Sequence, residues 1–189
     1  TLGNLAGTNF VRALLDTVDE VPLTGNLSTV DELYVNAAAA VRVMAQATLH
    51  SGLDIELAHA GATLTLTAAQ ADLVDSINGE TGAQVTVTGL DAAPSANINN
   101  IGLGLVVTAE LVATDPRTLS GDLSRVDTLN ISGPHMVTVA TAGTLHSGLT
   151  ITVASGSTLQ LTSAALAAGV TSISGAGAVM ITGDIAGLD

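Results

Sequence analysis

Short runs in which apolar and polar residues alternate one for one recur along the chain about every 8 to 13 residues. They read ELYV (32–35), AVRVM (40–44), LDIEL (53–57), TLTLT (63–67) and QVTVTG (84–89), then TLNIS (128–132), MVTVA (136–140), LTITV (149–153), TLQLT (158–162) and VMITG (179–183). A period of two sends successive side chains to opposite faces, so each run predicts a strand with one buried and one wet face. Gly, Asn, Asp and Ser separate the runs, as turns demand. AAQADLVDSI (68–77) and SAALAAGVTSI (163–173) are each expected to hold one helical turn or a bend. FVRALLDTVDEV (10–21) has the leucine spacing of a helix, whereas its counterpart VVTAELVATDPRT (106–118) holds Pro116, so any helix there is short.

The second set of runs is a copy of the first. LTGNLSTVDELYVNAAAAVRVMAQATLHSGLDIEL (23–57) and LSGDLSRVDTLNISGPHMVTVATAGTLHSGLTITV (119–153) share 16 of 35 positions without a gap, at an offset of 96. ATLTLT (62–67) answers STLQLT (157–162), and DSINGETGAQVTVTG (75–89) answers TSISGAGAVMITG (171–183). Asn4 answers Asn100 and Asp19 answers Asp115. The chain is therefore a tandem of two units of about 95 residues, 1–95 and 96–189. Residue 189 falls where a third copy would begin, the chain starts at Thr1 without a signal peptide, and a piece or processed product of a longer array is expected.

Composition narrows the architecture. Apolar residues make up 47% of the 189, yet Phe10 and Tyr34 are the only aromatics. The core must be thin and built from small aliphatic layers. Two all-β architectures fit. In a β-solenoid, resembling a parallel β-helix, stacked aliphatic rows fill a narrow interior. In tandem Greek-key β-sandwiches, two sheets enclose the core. The shortage of aromatics favours the solenoid. With no cysteine there is neither a disulfide nor a thiolate metal site. Four arginines and no lysine against 17 acids give a formal charge of −13, a poor surface for nucleic acid and a plausible one for divalent cations. No run of 18 apolar residues occurs, so no helical membrane span is expected.

The phrases LTLTAAQADLVDSINGETGAQVTVTG and LQLTSAALAAGVTSISGAGAVMITGD share the pattern LT-x-A, a spacer, Ile-x-Gly and a closing Thr-Gly. In this they resemble the repeat units of very large bacterial extracellular proteins, namely secreted adhesins, surface-layer proteins and subunits of extracellular filaments or tubes. The resemblance implies an extracellular or cell-surface setting and a chain that polymerises with itself. The glycine-rich calcium-binding nonapeptide GGxGxDxUx is absent.

Candidate chemistry is sparse. His50 and His146 sit in equivalent LHSG sequences. A His-Ser pair needs an orienting acid and an oxyanion hole, and adjacent residues point apart, so a turn is the better reading. Asp31 and Asp127, with Asn26 and Asp122 five residues before them, form a candidate Ca²⁺ ligand set. The competing reading is a turn in which these side chains bond nearby backbone. No pair of acids is singled out for glycoside hydrolysis, and the Thr runs are too short and interrupted for an ice-ordering ladder. The sequence thus points away from an enzyme, with no cofactor unless Ca²⁺. It points toward a structural module that associates head-to-tail, through Asp184, Leu188 and Asp189 at one end and Leu2, Leu5 and Phe10 at the other. The alternative is the stalk or ligand-binding segment of a giant adhesin.

Overall fold

The computed structural model describes residues 10–140 and 144–183. The chain is an all-β solenoid with two short helices among the described residues. Every strand pair of defined register is parallel, which excludes the antiparallel Greek-key sandwich. Two compact units form. One comprises the described residues up to Val87 together with Asn100–Val107, the other Thr88–Asn99 together with the described residues from Thr108 onward.

In the first unit the chain runs through β1 (Arg12–Leu15), β2 (Glu20–Leu23), β3 (Glu32–Val35), β4 (Ala40–Val43), β5 (Asp54–Leu57), β6 (Thr63–Thr67), α1 (Ala68–Leu73), β7 (Ser76–Gly79) and β8 (Gln84–Thr88). Odd-numbered strands stack in one sheet, β1-β3-β5-β7, and even-numbered strands neighbour one another in a second, β2-β4-β6-β8. Each coil thus contributes one strand to each sheet. Arg12, Glu32, Asp54 and Ser76 are successive register partners, which sets coil lengths of 20, 22 and 22 residues. A bridge between Asn26 and Thr48 forms a short third side.

The second unit repeats this plan with β9 (Val106–Val112), β10 (Arg117–Leu119), β11 (Asp122–Leu123), β12 (Thr128–Ser132), β13 (Met136–Val139), β14 (Thr144–Leu145), β15 (Leu149–Val153), β16 (Thr158–Thr162), α2 (Ser163–Ala167), β17 (Val170–Gly175) and β18 (Ala178–Thr182). Thr108, Thr128, Thr150 and Ser172 are its register partners, each 96 residues beyond its counterpart in the first unit. Asp122 pairs with Thr144 as Asn26 does with Thr48.

Alternation explains the packing. Along β3, β5 and β6 every second residue is buried. Leu33, Ile55 and Ile77 form one inward row, Val35 and Leu57 begin a second, and Val41 and Leu64 lie in the facing sheet, all at most 1% exposed. Burying one such side chain contributes about 1.5–3 kcal/mol, so stacked rows replace the aromatics that the chain lacks. The Ile-x-Gly signature also has a cause. A Cβ on Gly79 would meet Leu57 O at 2.6 Å, and one on Gly175 would collide with Val153 O, because each glycine lies against the carbonyl of the coil before it.

Two expectations need correction. Residues 10–21 are not helical. They hold β1 and the start of β2, because Ala13 and Leu15 extend the rows of Leu33 and Val35. Residues 106–118 likewise form β9 and β10 rather than a short helix. The expected helical turns at 68–77 and 163–173 are present as α1 and α2. In α1, Thr67 Oγ1 accepts from the Gln70 N–H and Gln70 Oε1 accepts from the Thr67 N–H, a reciprocal capping box. The Gln70 amide also donates to Met44 O at 2.9 Å, tying the helix to the coil below.

Candidate self-association surface

The histidines are turn residues. Leu53 N–H donates to His50 O and Leu149 N–H to His146 O, each at 3.2 Å, closing a turn before β5 and β15. His50 Nδ1 accepts from the Gly52 N–H, so its Nε2 carries the proton and donates to Val30 O at 2.8 Å. Both ring nitrogens of His50 therefore serve backbone. His146 Nδ1 lies 3.6 Å from Asp127 Oδ1.

Two of the candidate calcium ligands serve turns. Asn26 Oδ1 accepts from the Ser28 N–H, and Asp122 Oδ1 from the Ser124 N–H, both at 2.9 Å. Asp122 Oδ2 further accepts from Asn99 Nδ2 at 3.3 Å. Asp31 Oδ2 accepts from the Val11 N–H at 2.6 Å, fixing the strand entry of the coil below. Asp127 O accepts from the Thr150 N–H. Among the described residues no group of three or more His, Asp or Glu side chains is arranged to hold a metal ion.

The two units differ on the outward face of their first-strand sheets. In the first unit the outward rows are Arg12–Glu32–Asp54–Ser76 and Leu14–Tyr34–Glu56–Asn78. Arg12 pairs with Glu32 and holds its guanidinium 4.9 Å from the Tyr34 ring centroid. Burial, with Glu32 and Glu80 nearby, raises the Glu56 carboxyl above the ordinary 4.5. In the second unit the same positions are Thr108–Thr128–Thr150–Ser172 and Glu110–Asn130–Thr152–Ser174.

The inward rows differ in their last coil. Val85 and Val87 are 0% exposed, as is Ile77. Their counterparts are not sealed: Val179 is 42% exposed, and Ile173 and Ile181 are partly exposed. Met180 beside them is 49% exposed. β17 and β18 are the last strands of their stacks among the described residues. β1 and β2 are the first strands of theirs in the first unit, with only half-buried inward residues.

Of the expected interface residues, Phe10 is 66% exposed just before β1. Leu2, Leu5, Asp184, Leu188 and Asp189 lie outside the described residues. The apolar positions of β17 and β18 were absent from that expectation. The sequence aligns Ile173 with Ile77 at the offset of 96 and, after a two-residue deletion, Val179 and Ile181 with Val85 and Val87, but that these counterparts are sealed is visible only in the structure. No protein family, curated protein or solved structure matched the chain.

Proposed function

We propose that the protein is a structural repeat module that associates head-to-tail, the last coil of one copy meeting the first coil of the next. The observation that supports this reading is one coil plan written twice, with register partners in the two units 96 residues apart. A contact between unlike ends does not close on itself unless its rotation closes, so it generates filaments or tubes. The resemblance of the repeat phrases supports a place in a bacterial extracellular filament, tube or surface layer. The alternative, a stalk or ligand-binding segment of an adhesin, draws on the Arg12–Tyr34–Glu56 face, which the second unit lacks.

Sedimentation velocity over a concentration series, with negative-stain microscopy, tests the proposal. The native chain is expected to polymerise, and Val179→Asp to remain monomeric with an unchanged circular dichroism spectrum. A native chain that stays monomeric at every concentration defeats the self-association reading.

A further inference from the structure

The two units present unlike faces from the same place in the coil. Of the eight residues in the first unit's two outward rows, four are charged: Arg12, Glu32, Asp54 and Glu56. Their counterparts in the second unit are Thr108, Thr128, Thr150 and Thr152, and Glu110, in its first coil, is the one charge among the equivalent eight. None of the other seven side chains is longer than that of Asn130. These positions are half-buried or exposed, and they point out of the sheet rather than along the stack of coils.

Charge sets this face apart in a chain with a formal charge of −13. Two copies that approach through charged faces repel each other, so a nearly uncharged face is where the approach costs least. Length matters as well. Ser and Thr lose less rotamer freedom on burial than Met, Gln, Glu or Arg. That separates the face from the other sheet of the same unit, where Met136, Gln160 and Met180 alternate with the inward residues.

We propose that the Thr–Ser face of β9, β12, β15 and β17 is a lateral contact surface that mates with the same face of a second copy. Its size decides when the contact operates. Four coils about 4.8 Å apart, with about five residues rising about 3.3 Å each, give roughly 300 Å². A stable pair buries about 800 Å² on each partner. One face is therefore too small to hold two single copies, but identical faces recurring along a head-to-tail array act as linked contacts. The surface bundles filaments side by side. This rests on the head-to-tail reading and adds a second direction of growth to it.

Negative-stain microscopy and low-speed pelleting of the assembled full-length chain test the proposal. Native filaments are expected to lie in bundles. Thr150→Asp sets like charges across the contact and should leave single filaments of native length, with the pelleted fraction falling about tenfold or more. Thr150→Asn, of the same size without the charge, should keep the bundles. Thr138→Asp, on the other sheet of the unit, should keep them too. Thr128→Asp repeats the test from the neighbouring coil, and a native circular dichroism spectrum is required of each variant. Bundling that survives both Thr150→Asp and Thr128→Asp, or that Thr138→Asp abolishes equally, overturns the face. Native filaments that stay single also overturn it, leaving the face to a partner other than this chain and head-to-tail association standing. A native chain that never polymerises overturns both.

Discussion

Asn100 offers the sharpest test of how a coil is closed. Replacing it by Ala removes two donors from the carbonyls of Ala71 and Val74, at 2.8 and 2.7 Å. A buried acceptor left unpaired costs about 1–3 kcal/mol, so the two together cost about 2–6. Asn100 Oδ1, however, is itself buried without a hydrogen-bond partner, and deleting it returns one such cost. The net expected loss is about 1–3 kcal/mol. Asn100→Asp should be worse than Asn100→Ala, because it presents carboxylate oxygen to two carbonyl oxygens. Urea unfolding followed by far-ultraviolet circular dichroism measures both. At a slope of about 2 kcal/mol/M, the Ala variant should lower the midpoint by about 0.5–1.5 M with the slope unchanged. A midpoint within about 0.2 M of native, or an Asp variant no less stable than the Ala variant, refutes the argument that this side chain closes the coil.

Gly79→Ala is expected to lose about 1–3 kcal/mol, because its Cβ meets the fixed Leu57 carbonyl and the coils must separate. Gly175→Ala should lose about 1–2 kcal/mol more, since it adds a left-handed φ of +106°; native midpoints in thermal melts of both variants would contradict the stacking argument. Glu56→Gln should stabilise the chain at neutral pH. A carboxyl whose folded pKa is raised binds protons more readily when folded, so its ionised form destabilises above that value, and stability is regained as pH falls through it toward 4.5. The advantage of Gln over Glu should therefore shrink on acidification, and an advantage that is independent of pH would show that charge is not the cause.

Strand positions were legible because alternation is local. ELYV, TLTLT, TLNIS, LTITV and TLQLT are strands over the residues their patterns marked. The duplication was legible as well, and with it the equivalence of the two sets of coils. The coil lengths of 20 and 22 residues were not, because successive coils within a copy share inward size and polarity rather than residue identity. For the same reason residues 10–21 carried a helical spacing that only the neighbouring coil overrode: Ala13 and Leu15 gain from stacking on Leu33 and Val35, which no local window contains. Asn26, Asp122 and Asp31 could be marked as oxygen donors from sequence. Whether they cap backbone depended on Ser28 and Ser124 nearby and on Val11 one coil away.

By itself, then, the amino-acid order determined where strands form, which face of each is apolar, and that one pattern is written twice. Tertiary structure alone decided which of two identical patterns is sealed. Ile77 and Ile173 occupy the same place in the same signature, yet one is buried beneath Ile101 and the other stands half-open. Burial depends on the next coil in space, and in a solenoid that coil lies outside the segment whose burial it decides.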